Sequence, residues 1–171
     1  MKIKKLLILI LIIFLIANAL VGCTYKAYKT YYSKDDYSKI WNLSGIHHDY
    51  NDVVTVFPQS IQNLNVVDFF CRYDEQLPLG EGMQVLLGVK YEDSASYNME
   101  IDKLMSITSD SSNFFKETEF ICYPINIGSD SYSEYEYALA DNEQKMIYYV
   151  FLKNIPQDEV EFDIRFLKTG D

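Results

Sequence analysis

Residues 145–153 of this chain read KMIYYVFLK and would place apolar side chains on both faces of an extended strand. Successive side chains of a strand point to opposite faces, so a strand with one solvated face alternates apolar and polar residues. A strand that is apolar on both faces needs cover on both sides. We therefore predict a central strand here, and with it a fold built around a β-sheet.

A second alternating segment lies directly before this central strand. In residues 132–140, Tyr135, Tyr137 and Leu139 alternate with Glu134, Glu136 and Ala138. Residues 141–143 read Asp-Asn-Glu, which is typical of a turn. We predict that the two segments form an antiparallel hairpin.

Further strand patterns occur on both sides of this hairpin. Residues 65–73 and 84–91 are rich in β-branched and aromatic residues and are separated by turn residues 78–82, so we predict a second antiparallel pair. We also expect short strands at residues 53–57, ending at Pro58, and at residues 120–123, ending at Pro124. Residues 160–167 alternate apolar and charged side chains and predict a last strand.

One segment has helical periodicity instead. Ser94 is a predicted helix cap, and apolar positions then recur at spacings of three and four, with Met105 alongside, until residues 110–113 end the helix. These positions are Tyr97, Ile101, Leu104 and Thr108. The predicted fold class is α+β, a mostly antiparallel sheet with one amphipathic helix packed on one face.

The charge of the chain restricts its partners. Its 15 basic and 25 acidic residues give a net charge of -10, and removal of residues 1–22 would take away three lysines and no acid, leaving -13. Such an acidic domain repels phosphate backbones, so we expect no nucleic-acid partner. It also repels anionic membrane surfaces, so any attachment to a membrane must come from something other than the charge of the domain.

The amino-terminal residues have the three parts of a secretory signal. Residues 1–5 contain three lysines, residues 6–16 are all Leu, Ile or Phe, and smaller residues follow. The sequence Leu20-Val21-Gly22-Cys23 resembles the lipobox of bacterial lipoproteins, with a branched apolar residue three positions before the cysteine and a small residue directly before it. The alternative is an uncleaved membrane helix over residues 6–22, close to the minimum length for a span.

The lipobox resemblance implies a processing site and an anchor. It implies cleavage between Gly22 and Cys23 and attachment of diacylglycerol to the Cys23 sulfur, giving a lipid-anchored protein on the extracytoplasmic face of the cell membrane. Two acyl chains anchor a protein stably where a single chain is marginal. The resulting division is a signal peptide over residues 1–22, a tether without regular structure over residues 23–39, and a single α+β domain over residues 40–171.

Two cysteines remain after Cys23 is assigned to lipid. Cys71 and Cys122 are an even pair in an exported domain, which favours a disulfide. Their strand-like surroundings favour two buried free thiols, because cysteine often behaves as a small apolar residue. Both alternatives stay open at this point.

Residue patterns that carry chemistry are few. His47, His48 and Asp49 could contribute to a weak metal site, but adjacent residues of an extended chain point to opposite sides, so we interpret them as a polar loop and expect no metal and no cofactor. The chain has no Gly-x-Ser-x-Gly elbow, and the Gly-x-Gly at residues 80–82 precedes a strand, where a phosphate-binding loop would precede a helix. We therefore predict no catalytic residues.

Two further patterns have both a functional and a structural interpretation. Glu134 and Glu136 resemble a carboxylate pair of a glycoside hydrolase, but the solvated face of a hairpin explains them more simply. The tyrosines of the second hairpin could form an exposed aromatic strip that binds polysaccharide or peptide, or could pack across strands beneath the helix. These tyrosines are Tyr132, Tyr135, Tyr137, Tyr148 and Tyr149.

The expected function is therefore that of an exported lipoprotein with a non-enzymatic interaction or accessory role and an unidentified protein or glycan partner. The alternatives are a small-ligand or polysaccharide-binding protein, or a surface hydrolase whose site is assembled from separate strands. An inhibitor or immunity protein also fits the acidity and small size of the chain.

Overall fold

The computed structural model describes residues 26–42, 56–76, 80–108, 120–127, 134–155 and 157–167. Within these residues a six-stranded, fully antiparallel sheet has the order β1-β2-β3-β6-β5-β4. An α-helix and three 3₁₀ helices accompany it. The strands are β1 (Lys26–Tyr31), β2 (Asn65–Gln76), β3 (Gly80–Lys90), β4 (Ile121–Ile127), β5 (Glu134–Asp141) and β6 (Met146–Lys153), and helix α1 is Ser94–Ile107. The predicted α+β class is confirmed.

The sheet consists of two three-stranded meanders that meet at their last strands. Strands β1, β2 and β3 are neighbours in chain order, as are β4, β5 and β6, and β3 pairs with β6 at the centre. Helix α1 connects the two meanders by leading the chain to the far edge of the sheet. The central position predicted for residues 145–153 is confirmed, as are both predicted hairpins, β2–β3 and β5–β6.

Both faces of the sheet are covered. On the first face, which we call the helix face, α1, the 3₁₀ helix Lys34–Asn42 and residues 56–64 contribute apolar side chains to a core with β2, β3 and β6. On the opposite face, which we call the C-terminal face, residues 160–167 cover the sheet with Phe162, Phe166 and Leu167. Two-sided cover explains why residues 85–89 of β3 and 146–152 of β6 contain no charged or amide side chain.

Helix α1 begins one residue earlier than a cap at Ser94 would imply. The side chain of Asp93 accepts a hydrogen bond from the backbone N–H of Ser96 at 2.8 Å, so Asp93 is the N-cap. Tyr97 and Leu104 are buried as predicted, whereas Met105 is exposed. The prediction for Met105 was wrong because it lies a further 100° around the helix from Leu104, outside the strip that contacts the sheet.

The last predicted strand is wrong. Residues 160–167 form no strand; instead 3₁₀ helices Gln157–Glu159 and Ile164–Phe166 lie against the C-terminal face. Asp163 caps the second of them by accepting a hydrogen bond from the backbone N–H of Arg165 at 2.9 Å. Ile164, predicted to lie on the apolar face, is 79% exposed. The other apolar side chains of this alternating pattern pack against the sheet, and the segment pairs with no strand.

The described part of the predicted tether is folded. Residues 26–31 form edge strand β1, paired with β2, and residues 34–39 belong to the first 3₁₀ helix, whose Tyr37 and Ile40 are buried in the core. The sequence pattern missed β1 because an edge strand has few buried positions. Residues 23–25 lie outside the described residues.

Three turn and strand boundaries also differ from the prediction. Val56 and Phe57 are buried but belong to no strand, and residues 53–55 lie outside the described residues. Pro124 lies inside β4, at a register irregularity between Pro124 and Asn126. Proline is tolerated there because β4 is an edge strand. Gly80 and Gly82 belong to β3, while residues 77–79 of the predicted turn lie outside the described residues.

Candidate functional site

A chain of hydrogen-bonded side chains connects the helix face to the surface. The hydroxyls of Tyr91 and Tyr149 lie 3.0 Å apart, and the Tyr149 hydroxyl donates to Glu100 Oε1 at 3.1 Å. Lys103 donates to the same carboxylate oxygen at 2.8 Å. Burial raises the pKa of Tyr91 to about 12 and the pKa of Tyr149 well above its usual value. Both tyrosines therefore stay protonated and act as donors that fasten α1 to β3 and β6.

Tyr97 makes a second connection from α1. Its hydroxyl donates to Asn142 Oδ1 at 2.6 Å, and its ring meets the Tyr91 ring edge-on with centroids 5.9 Å apart. Burial raises the Tyr97 pKa to about 12. The first turn of α1 is thereby fixed to the turn between β5 and β6.

A charged cluster lies beneath residues 157–167, which we call the C-terminal segment. Arg72 Nε donates to Asp74 Oδ1 at 2.8 Å, and the same guanidinium bonds Glu161. Its carbon atom Cζ also lies 5.1 Å from the centre of the Tyr28 ring. Asp74 is buried, so the guanidinium neutralises a carboxylate that water cannot reach.

Gln84 supplies the uncharged part of this attachment. Its Oε1 accepts the backbone N–H of Glu161 at 2.8 Å, and its Nε2 donates to the backbone carbonyl of Glu159 at 3.4 Å. Gln84 is buried in β3, where a polar side chain is stable only when hydrogen-bonded. The sequence marks these positions as unusual, because Arg72 and Asp74 share a strand face and Gln84 interrupts an apolar strand. It does not show which distant residues they contact.

Glu134 and Glu136 do not form the solvated pair that the sequence predicted. Glu134 is half-buried and pairs with Lys153 at 2.9 Å. Glu136 is 1% exposed and its Oε1 accepts the backbone N–H of Val56 at 2.8 Å. The prediction was wrong for Glu136 because the 56–64 segment, distant in sequence, covers that face.

The tyrosines of the β5–β6 hairpin pack into the sheet faces. Tyr137 and Tyr149 are fully buried, and Tyr137 donates a hydrogen bond to the Phe166 carbonyl of the C-terminal segment. Tyr135 and Tyr148 are half-buried, and Tyr132 lies outside the described residues. Tyr149 packs on the helix face against Phe57, whereas the other described tyrosines of this hairpin belong to the core of the C-terminal face, so they do not all lie beneath the helix.

Cys71 and Cys122 are free thiols and lie far apart. Cys71 is in β2 and packs on the helix face, whereas Cys122 is in β4 and packs on the C-terminal face. Three strands separate β2 from β4, a distance of about 19 Å at the usual strand spacing. A disulfide needs Cα atoms within about 7 Å, so this fold does not allow the bridge considered above. Burial raises both thiol pKa values to about 12.

The described surface includes a larger and a smaller open groove. A groove of about 520 Å³ lies between the first 3₁₀ helix, with Lys34, Asp35 and Ser38, and the segment containing Gln59 and Gln62. A smaller one, of about 330 Å³, adjoins the β5–β6 turn and is lined in part by Asp141, Glu143 and Arg165. Both are polar and open to solvent, which suits weak contacts with a polar ligand better than enclosure of an apolar one.

Several predicted positions cannot be placed. Gly22, Cys23, His47, His48 and Asp49 lie outside the described residues. Within the described ranges, no three His, Cys, Asp or Glu side chains gather closely enough to hold a metal ion. No helix of the same ranges is both long and apolar enough to cross a membrane.

Comparison with protein-family models, with curated proteins and with solved structures finds no match to this chain.

Proposed function

We propose that the chain is an exported bacterial lipoprotein, held on the extracytoplasmic face of the cell membrane by diacylglycerol on Cys23. One observation carries the proposal: the sequence Leu20-Val21-Gly22-Cys23 follows a basic and then an apolar segment, and strand β1 begins three residues after the cysteine. The signal-like residues therefore end where the folded domain begins. The folded domain would remain at the membrane after cleavage.

We further propose a non-enzymatic interaction or accessory role for the domain. Support comes from the buried side chains of Asp74, Gln84 and Glu136, because each bonds another residue of the fold. Asp74 pairs with Arg72, Gln84 holds the C-terminal segment, and Glu136 holds Val56. The net charge of -13 for residues 23–171 disfavours nucleic acid and favours a partner of protein or glycan chemistry.

The anchor is tested by replacing the modified atom. Cys23→Ser should abolish incorporation of a fatty-acid probe and leave the precursor unprocessed, because the hydroxyl of serine is a poor nucleophile compared with a thiolate. Cys122→Ser is the matched control and should retain labelling and processing. Labelling that persists in Cys23→Ser would defeat the proposal.

The accessory role is tested separately in membranes that contain the anchored protein. Affinity purification under mild detergent should co-purify a specific protein or glycan in amounts that follow those of the anchored chain. The Cys23→Ser variant, which lacks the acyl chains but keeps residues 1–22, is the comparison. Purification that enriches neither kind of partner contradicts the interaction role.

The 520 Å³ groove favours a second candidate, a binding protein for a small polar ligand. Ser38 and Gln59, on opposite sides of this groove, supply hydroxyl and amide groups suited to sugar hydroxyls. Titration of the protein with cell-wall oligosaccharides, monitored by thermal unfolding, should then raise the midpoint for the native chain and not for a Ser38→Ala, Gln59→Ala variant. An unchanged midpoint across the oligosaccharides removes this candidate.

A further inference from the structure

Strand β1 is the part of the described domain nearest to the proposed anchor. Only two residues separate Cys23 from Lys26, the first residue of β1, so their Cα atoms are at most about 11 Å apart. Strand β1 is also an edge of the sheet, with β2 on one side only. An acyl-anchored Cys23 would therefore keep this edge within reach of the lipid headgroups.

The composition of this edge differs from that of the rest of the chain. Residues 24–34 contain three lysines and no acid, whereas residues 23–171 as a whole carry a net charge of -13. Lys29 and Lys34 are exposed. Of the two acids that follow Lys34, Asp36 pairs with Lys39 at 2.6 Å, whereas Asp35 is exposed and offsets part of the positive charge there. The edge is thus a local basic patch on an acidic domain.

Two exposed tyrosines accompany the lysines. Tyr28 is 65% exposed and Tyr32 is 70% exposed, the first resting on Arg72 and the second on Phe70 with ring centroids 5.5 Å apart. Tyrosine, with an apolar ring and a polar hydroxyl, is enriched at the boundary between headgroups and acyl chains. The opposite edge strand, β4, contains no charged residue, so the basic and aromatic character belongs to one edge.

We infer that the β1 edge, with Tyr28, Lys29, Tyr32 and Lys34, rests on an anionic phospholipid surface and orients the domain on the membrane. The inference depends on the lipid anchor of the proposed function. The anchor supplies attachment that the acidic domain cannot supply by charge, and the edge determines which side of the domain faces the bilayer. The smaller groove beside the β5–β6 turn and the α1 surface then remain available to an extracytoplasmic partner, whereas the 520 Å³ groove, which Lys34 helps to line, adjoins the membrane-facing edge.

The test uses the full lipidated chain in vesicles that contain phosphatidylcholine with or without phosphatidylglycerol. Benzoylphenylalanine replaces Tyr32, and in a matched control it replaces Met99, which is 73% exposed on α1. Photocrosslinked phospholipid is then quantified by mass spectrometry. We expect at least about five-fold more lipid adduct at position 32, and more of it when phosphatidylglycerol is present.

Charge reversal at the edge sharpens the measurement. The exchanges Lys29→Glu and Lys34→Glu should each lower the phosphatidylglycerol adduct at position 32 by about five-fold or more, since one basic residue near the surface contributes about that factor. A retained urea midpoint shows that these variants fold.

Four results would overturn the inference. They are equal lipid adducts at positions 32 and 99, no lipid adduct at position 32, an adduct there with a second copy of the chain, and adduct yields insensitive to both charge reversals. Fatty-acid labelling of the same samples separates the two proposals. A labelled chain without lipid adducts defeats the inference alone, and an unlabelled chain defeats both.

Discussion

Glu136 and Val56 are 80 positions apart in sequence, yet the buried carboxylate of Glu136 accepts the Val56 backbone N–H at 2.8 Å. This bond holds the segment that covers one side of the helix face, including Phe57, whose ring packs on Tyr149 with centroids 5.8 Å apart. A backbone N–H in a buried segment needs an acceptor, and here a charged side chain of the sheet supplies it.

We predict that Glu136→Ala lowers the free energy of unfolding by about 1–3 kcal/mol, because it leaves the Val56 N–H without this acceptor. Urea denaturation measures the effect. Glu134→Ala is the control, since it breaks only the partly exposed pair with Lys153 and should cost about 1 kcal/mol or less. Equal losses for the two variants would contradict the role assigned to Glu136.

We predict that Arg72 contributes more to the free energy of unfolding than a residue near the surface usually does. Arg72→Met leaves the buried Asp74 carboxylate without its partner, so we expect the free energy of unfolding to fall by about 3 kcal/mol. The same change removes the bond to Glu161, so amide exchange in residues 157–167 should become faster. Arg165→Met, which breaks an exposed pair with Asp163, should change the unfolding free energy by about 0.5 kcal/mol or less. Unchanged exchange in Arg72→Met would show that the cluster does not hold the C-terminal segment.

Helix α1 offers a matched pair of adjacent residues. Leu104 is fully buried against the sheet, so Leu104→Ala should lower the unfolding free energy by about 2–5 kcal/mol. Met105 is exposed, and Met105→Ala should change it by about 0.5 kcal/mol or less. Similar effects at both positions would mean that α1 presents a different face to the sheet. Chemical denaturation followed by circular dichroism distinguishes these outcomes.

The two free thiols are predicted to be slow to react in the native protein. Burial raises the pKa of Cys71 and of Cys122 to about 12, so the thiolate fraction at about pH 8 is very small. Alkylation with iodoacetamide should modify neither until urea unfolds the chain, and then both. Electrophoresis without reductant should show the same mobility as with it. A mass lower by two hydrogen atoms, together with no reaction of Cys71 or Cys122 after unfolding, would indicate a disulfide and contradict the separation of the two strands.

Stability should fall in alkaline solution through the buried tyrosines. Burial raises the pKa of Tyr91 to about 12 and also raises the pKa of Tyr149, whereas both return to about 10 on unfolding. As pH rises, these tyrosines lose their protons in the unfolded chain before they do so in the folded one. Their contribution to the free energy of unfolding is therefore complete below pH 10 and declines as pH rises towards 12. Urea midpoints across this range should fall less steeply for Tyr149→Phe than for the native chain. Equal slopes would contradict this account.

Much of the sheet could be predicted from sequence because its signals are local. The β5–β6 hairpin combines alternation, a turn sequence and an apolar strand within about 20 residues. Helix α1 likewise shows its buried positions by spacing alone, apart from Met105. The order of the strands could not be predicted this way, because the pairing of β3 with β6 joins residues more than 50 positions apart.

The candidate sites were less predictable for a related reason. Arg72 and Gln84 carry a sequence signal as polar residues in strands, but both bond Glu161, which belongs to a segment whose pattern indicated a strand. Covering segments and strands both satisfy an alternating pattern, since each buries every second side chain. To distinguish a covering segment from a strand, one must know which strands pair with each other in the folded sheet.

The amino-acid sequence by itself determined the α+β class, the two hairpins, the central strand and the lipobox-like ending of the apolar segment, because each depends on neighbouring residues. The tertiary structure decided that Glu136 is buried, that Cys71 and Cys122 lie on opposite faces, and that residues 26–31 are an edge strand. Each of these depends on which distant segment packs where. The packing of distant segments is determined by burial of apolar side chains and by hydrogen bonding over the whole chain, so a local sequence pattern does not predict it.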